Sequence, residues 1–263
     1  MCLVLFSYDP QSNQPLVVAA NRDEFYARPA MSAHFWEDQP GLLAGRDLSA
    51  GGTWLGVSRS GRFATVTNFA EEGPSEAPLS RGRLPESFLA GTEGAQQFAH
   101  GLHGISYRGF NLLIWDGARL VYTSNYGHTQ ELQAGVYGLA NAELGATWPK
   151  VVRGRSALAK AVAAGADPDI LIQLLADRST PPDELLPKRG RPLELERRVA
   201  PCFIAGDDYG TRASTAVVFE RAPSTAAEGG GLRVRLAEQA YGPGGVAGER
   251  CSFELQLPQA TSC

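Results

Sequence analysis

Cys2-Leu3-Val4-Leu5-Phe6-Ser7-Tyr8 and, one turn later, Leu16-Val17-Val18-Ala19-Ala20-Asn21-Arg22-Asp23-Glu24 are the stretches on which the fold is decided. Both runs are apolar and rich in strand-forming residues, and Asp9-Pro10-Gln11-Ser12-Asn13-Gln14-Pro15 between them is made of turn formers, so they read as a hairpin of Cys2–Tyr8 with Leu16–Asn21. Neither run alternates polar with apolar residues. That pattern belongs to strands buried on both faces, as in a layered sandwich. The second strand then delivers Asn21-Arg22-Asp23-Glu24 to the edge of its sheet, a place where functional residues are often carried.

Working outward, Thr53–Ser58 with Phe63–Thr67 and Asn111–Trp115 with Leu120–Ser124 repeat the hairpin pattern around short polar turns. Residues 85–91 and 93–103 read as short helices. Trp148–Gly165 reads as a longer one with a glycine stop, and Pro168–Asp177 as another, capped by Asp167 with proline at its first position. Thr180–Leu193 reads as a loop. Cys202–Ala205, Ser214–Arg221, Leu232–Ala237 and Arg250–Leu257 read as strands, the later ones joined by glycine-rich connections. Strands come first, helices in the middle and strands again at the end. This order excludes the regular alternation of a doubly wound parallel sheet and suits antiparallel sheets covered by helices, an α+β chain whose residues 1–263 form one domain.

Composition narrows the functional classes. The 263 residues are 43% hydrophobic and 20% charged with a net charge of -4, which provides no basic field for a nucleic-acid backbone. No apolar run approaches the ~20 residues that span a bilayer, and no leader pattern opens the chain, so a cytoplasmic protein without an integral membrane segment is expected. The four cysteines, at 2, 202, 251 and 263, lack the paired short spacings of zinc sites. His100 and His103 could share a helix face without an evident third ligand, so no metal site is expected. Cys202 and Cys251 are expected in strands, and Cys263 on a frayed tail.

The residues that could carry chemistry start with Cys2. Most free cysteines are small core residues. At position two, however, loss of the initiator Met would give one residue both a thiol and a neutral α-amine able to take the thiol's proton. In extended chain Asn21 and Asp23 share one side and Arg22 takes the other. Asp23 or Asn21 is expected to face Cys2, with Arg22 or Glu24 anchoring structure behind, and Arg22 or Arg212 to offer the thiol positive charge. Trp54 lies in a glycine-marked segment, Gly51-Gly52-Thr53-Trp54-Leu55-Gly56, where a ligand or another backbone can approach closely. Asn68, Asn125 and Asn141 each end or follow an apolar strand, as turn residues or as amide donors to an oxyanion. Tyr209-Gly210-Thr211-Arg212-Ala213-Ser214-Thr215 brings an arginine and hydroxyls to a strand start.

Taken in order, Met1-Cys2-Leu3-Val4, Asn21-Arg22-Asp23-Glu24-Phe25, Gly51-Gly52-Thr53-Trp54-Leu55-Gly56, Thr67-Asn68, Gly138-Leu139-Ala140-Asn141, Trp148-Pro149-Lys150-Val151 and Tyr209 to Thr215 resemble the NRDE family, whose eukaryotic members are the transport and Golgi organisation protein 2 homologues. The resemblance implies a four-layer αββα sandwich of the N-terminal nucleophile (Ntn) hydrolase type. By similarity to the cysteine amide hydrolases of that fold, Cys2 would be the nucleophile and its own amine the base. Asp23 would orient the amine, Asn141 would supply the oxyanion contact, and Arg22 and Arg212 would bind substrate or tune the thiol. Asn21, Glu24, Trp54 and Asn68 complete the expected substrate site. Those hydrolases separate their early Arg and Asp by two residues, whereas Arg22 and Asp23 are adjacent, so one of the two is expected to face Cys2. The resemblance implies two functions. One is a hydrolase of amide or thioester bonds in amphipathic acyl compounds, with no cofactor required. The other is a non-catalytic carrier that holds haem or acyl-CoA in the same cleft, with Arg22 or Arg212 on its anionic groups and Phe25 and Trp54 around the rest.

Overall fold

A computed structural model describes residues 2–69, 78–102, 107–221 and 231–257. The opening hairpin is formed by β1 (Cys2–Tyr8) and β2 (Leu16–Phe25), paired antiparallel from Cys2↔Arg22 to Tyr8↔Leu16. It lies at the centre of a six-stranded antiparallel sheet with β10 (Gly135–Leu139), β11 (Tyr209–Arg221), β12 (Leu232–Tyr241) and β13 (Ala247–Leu257), in the order β10-β1-β2-β11-β12-β13. The second sheet has seven strands in sequence order: β3 (Ala30–Phe35), β4 (Leu42–Asp47), β5 (Leu55–Ser58), β6 (Phe63–Asn68), β7 (Phe110–Trp115), β8 (Leu120–Ser124) and β9 (Gln130–Glu131). Helices α1 (Arg83–Ala90) and α2 (Ala95–Gly101) cover its outer face. Helices α3 (Pro149–Ala163) and α4 (Pro168–Leu175) cover the outer face of the first sheet, and a short α5 (Leu193–Val199) follows.

Strand alternation sorts the apolar residues into three cores. Val4, Phe6, Val18, Leu113, Val217 and Phe219 fill the space between the sheets. Leu3, Leu5, Val17, Ala19, Ala216 and Val218 turn the other way and meet α3 and α4. Leu112, Ile114 and Ala64 meet Phe88 and Leu89 of α1. The layers therefore run helix, sheet, sheet, helix, and β1 and β2 are buried on both faces as their lack of alternation requires. Close approach of α3 to the first sheet depends on two glycines. A Cβ at Gly138 would stand 2.6 Å from Val151 Cγ1, and one at Gly154 2.6 Å from Leu5 Cδ1.

Several expectations change. Cys202–Ala205 is not a strand; it is a connection, buried as far as Ile204 and held by single bonds such as Phe203 N–H to Asp177 O at 2.9 Å and Ile204 N–H to Thr211 Oγ1 at 2.9 Å. The loop expected over 180–193 ends in α5, whose first turn carries Glu194 and Glu196 and whose last carries Arg197 and Arg198, matching the helix dipole. α4 starts as expected, with Asp167 Oδ1 accepting from Asp169 N–H at 2.9 Å ahead of Pro168. Among the described residues no helix is long and apolar enough to cross a membrane, and no group of metal-ligating side chains forms. His103 and Cys263 lie outside the described residues.

Candidate active site

A cavity of about 130 Å³ opens where β1 begins and β2 ends, between the two sheets, and Cys2, Arg22, Asp23, Glu24, Trp54 and Asn68 all line it. Cross-strand partners share a face, so the register Cys2↔Arg22 puts the thiol and the guanidinium together on the inter-sheet side. This corrects the expectation that Asp23 or Asn21 would be the one to face Cys2. Arg22 is buried, bonds Asp47 Oδ2 at 3.1 Å and stacks 4.4 Å from the centroid of the Trp54 ring. Asp47, on the neighbouring sheet, is the hub of this wall. Its carboxylate also accepts from Arg28 Nε at 2.6 Å and from the N–H groups of Ser49 and Ala50 at 3.0 Å. Burial alone would raise the Asp47 carboxyl, but the Arg28 hydrogen bond, the Ala50 N–H and the charges of Arg28 and Arg22 hold it below the ordinary carboxylate range.

Asn21 and Asp23 point into the helix-side layer. Asn21 Nδ2 donates to the carbonyls of Leu175 (3.1 Å) and Cys202 (2.8 Å), while its Oδ1 accepts from Ser214 Oγ at 2.6 Å. It is a structural clamp between β2, β11 and the end of α4, away from the cavity. Asp23 sits one residue beyond the last β1–β2 pair, and its Oδ1 accepts from Thr211 Oγ1 at 2.8 Å. Burial pushes its carboxyl up, with the Lys150 charge, the Thr211 hydroxyl and Arg22 opposing. Lys150 is itself buried on α3 and donates to Val199 O at 3.0 Å; burial lowers its pKa and Asp23 draws it back.

Asn141 follows β10 and lies behind Cys2. Its Oδ1 accepts from the Cys2 nitrogen at 3.0 Å, and its Nδ2 donates to Asn68 O at 2.7 Å. The amide thus holds the Cys2 nitrogen with its oxygen, which was expected to be a matter for Asp23. One of its two N–H hydrogens is engaged by Asn68, whose own exposed side chain lines the cavity. Glu24 folds back on its backbone, Oε1 accepting from Phe25 N–H at 2.9 Å. Burial pushes the Cys2 thiol above its ordinary value and the Asp23 charge adds to the shift, while a hydrogen bond from the Asp23 backbone and the Arg22 charge oppose it. The thiol therefore rests protonated and needs a base to become a nucleophile.

Arg212 is not brought to the cavity. It occupies a β-bulge between Thr211 and Ala213, and its Nη1 donates to the carbonyls of Phe25, Tyr26 and Arg28 at 3.0, 3.2 and 2.7 Å, clasping the chain that leaves β2. Asp47 and Thr211 were not singled out from sequence as site residues, and Lys150 was quoted without a role. Asp47 and Lys150 come from elements remote from β1, and only a lysine at a core-facing position of an otherwise apolar helix face gave a signal.

A thiol at the head of a central strand, with its nitrogen held by an amide across the sheet, in an αββα sandwich, defines an Ntn-hydrolase-type architecture. Solved structures agree. A C2A mutant of the conjugated bile acid hydrolase of Clostridium perfringens superposes with a TM-score of 0.52 at 9% identity, covering 97% of this chain and 92% of that one. A Caenorhabditis elegans N-acylethanolamine-hydrolyzing acid amidase ortholog gives 0.50 at 9% identity over 82% and 92%. At such identities the likeness is one of fold. Sequence relatives are nearer. The chain is 35% identical to a Transport and Golgi organization protein 2 homolog of Bos taurus over 247 residues and 32% identical to the Homo sapiens homolog over 247 residues, each covering 84% of this chain and 89% of the relative. The Drosophila melanogaster protein is 27% identical over 215 residues, 70% of this chain. Residues 1–229 match the family model Transport and Golgi organisation 2, and the chain belongs to that family.

Proposed function

We propose that this protein is an N-terminal-cysteine hydrolase of amide or thioester bonds in amphipathic acyl compounds, with Cys2 exposed as the first residue by loss of Met1. The observation that carries this reading is the pairing of the Cys2 nitrogen with Asn141 Oδ1 at 3.0 Å while the thiol shares the cleft face with Arg22. An α-amine has an ordinary pKa of about 7.7–8.0, so near neutrality a sizeable fraction is unprotonated. With one N–H directed to Asn141, its lone pair is available to the thiol. The amine takes the thiol proton, and sulfur attacks the acyl carbon. The resulting oxyanion collapses and expels the amine or thiol leaving group, which receives the proton back from the Cys2 ammonium. Water, deprotonated by the same amine, then attacks the Cys2 thioester; the adduct expels the Cys2 thiolate, which recovers the proton from the ammonium, and a carboxylic acid is released. Asn68, whose side chain lines the cavity, and the second Nδ2 hydrogen of Asn141 would serve as donors to the developing oxyanion. Asp23, beyond the β1–β2 pairing, would stand beside the ammonium.

A non-catalytic carrier of haem or acyl-CoA in the same cleft draws less support. Arg22 already bonds Asp47, and Arg212 clasps three backbone carbonyls outside the cavity. Intact-mass measurement should find Met1 absent. Purified protein should hydrolyse members of a panel of N-acyl amides and acyl thioesters, and Cys2→Ala should abolish this while retaining the fold. Retention of Met1, or turnover that survives Cys2→Ala, sinks the hydrolase reading. Saturable haem or acyl-CoA binding in a protein without turnover would replace it with the carrier.

A further inference from the structure

Between the sheets lies a polar cluster that the chemistry above does not use. Asn111 on β7 is fully buried, as are Thr67 on β6 and Tyr122 on β8. Tyr122 Oη donates to Asn111 Oδ1 at 2.7 Å. Asn111 Nδ2 lies 3.0 Å from Ala142 O, 3.4 Å from Ala140 O and 3.2 Å from Thr67 Oγ1, and Thr67 Oγ1 donates to Ala140 O at 2.8 Å. The amide orientation is fixed by this environment. Flipped, its oxygen would face two carbonyl oxygens, which can only repel it.

The groups held are not arbitrary. Ala140 and Ala142 flank Asn141, and their segment follows β10 without strand pairing of its own. The two carbonyls on either side of Asn141 are thus pinned from the opposite sheet, while the Asn141 side chain is pinned to Asn68 O. Burying a tyrosine hydroxyl, an amide and a threonine in an apolar layer is costly unless every group is satisfied, and a leucine or valine would fill the space without that demand. Satisfied, such a network fixes a single geometry.

We propose that Asn111 is a positioning residue for the nucleophile: anchored by Tyr122 and assisted by Thr67, it holds the Ala140–Ala142 backbone so that Asn141 Oδ1 meets the Cys2 nitrogen. Its catalytic meaning rests on the Cys2 hydrolase reading. Its geometric content does not, because the bond to Asn141 Oδ1 is made by the Cys2 backbone N–H and needs no free amine.

The test is the second-order rate of iodoacetamide alkylation at Cys2 across pH 5 to 10, read site by site by peptide mass spectrometry with Cys251 as internal reference. Asn111→Leu should slow Cys2 alkylation by about tenfold and move its pH midpoint, as expected when a reacting group loses its alignment, with Cys251 unchanged. Thr67→Val should shift the same way, and Thr67→Ser, which keeps the hydroxyl, should restore the parent profile. Tyr8→Phe is the control: Tyr8 also bonds across the sheets, to Ala118 O at 3.1 Å, but at the other end of β1, and its loss should leave Cys2 untouched. If Asn111→Leu does not fold, Tyr122→Phe decides, since it removes only one hydroxyl. A Cys2 profile within twofold of the parent in the folded variant overturns the proposal. Parent protein that alkylates normally but shows no Cys2-dependent turnover overturns the hydrolase reading instead.

Discussion

The space between the sheets has two ends that differ in kind. Where β1 finishes, Phe6 stacks on Tyr137 with centroids 5.1 Å apart, Trp115 meets Phe219 edge-on at 4.6 Å, and Phe63, Leu16 and Leu120 complete an apolar plug. Where β1 starts, the same layer holds Arg22, Trp54, Thr67, Asn111 and Asn141, and opens into the cavity. Apolar contact is non-directional, so the plug joins the sheets firmly without specifying how they meet to a fraction of an ångström. Hydrogen bonds add little net energy each but are lost by small displacements. One end of the layer supplies stability, and the other supplies placement.

Variants at the two ends should therefore separate stability from reactivity. The largest loss of stability is expected from Phe219→Ala at the plug, about 3–5 kcal/mol by urea unfolding, with Cys2 alkylation in the folded fraction unchanged. Asp47→Asn at the other end leaves two guanidiniums without their counter-charge. It should lose about 2–3 kcal/mol and, unlike the first, change the Cys2 rate, because Arg22 is released toward the thiol. Its effect has a pH sign. The Asp47 carboxyl is held low, so its contribution is present above the unfolded value of about 3.9 and is lost as pH falls through the folded one; the parent and Asp47→Asn should converge in acid. Arg212→Met should lose about 1 kcal/mol from three carbonyl contacts and leave turnover and alkylation as they were, and a tenfold fall in either would return Arg212 to the site.

The smallest effect is a slope. Glu238 is buried beside the same layer, accepting from Ala33 N–H at 2.7 Å and Thr215 Oγ1 at 2.7 Å, and burial raises its carboxyl despite those bonds. A raised folded value means stability present below the unfolded value of about 4.3 and lost as pH climbs through the folded one. The stability of Glu238→Gln relative to the parent should accordingly increase with pH above that point. A flat or falling difference would show that the carboxylate is better satisfied than its burial suggests.

Much of this was legible in the chain. Hairpin β1–β2 is unmistakable because its turn is dense in breakers and its strands are long, and α4 announces itself through Asp167 and Pro168. Strands β3, β4 and β10 were not, since Ala30–Phe35, Leu42–Asp47 and Gly135–Leu139 carry alanines and glycines whose strand state is set by neighbours. For the site, the sequence located Cys2 and the Asn-Arg-Asp-Glu run but not their facing. Which of two adjacent residues looks at the thiol depends on register, and one position of slip exchanges Arg22 for Asp23. Asn141 could be found as an amide after a strand. That its oxygen would serve the Cys2 nitrogen depends on Asn111 and Thr67, which sit on the other sheet.

The bulge at Arg212 carries a further consequence. Thr211 pairs with Asp23 and Ala213 with Arg22, so residues two apart look to opposite faces, and β11 is out of phase with itself on either side of position 212. Arg212 acts as a phase shifter. Removing it would join Thr211 directly to Ala213, and because neighbours in a strand face opposite ways, Thr211 would keep its pairing with Asp23 while Ser214, Ala216 and Val218 stay where they are. Position 212 should thus accept deletion without loss of register, and what leaves with the residue is its clasp on the Phe25, Tyr26 and Arg28 carbonyls.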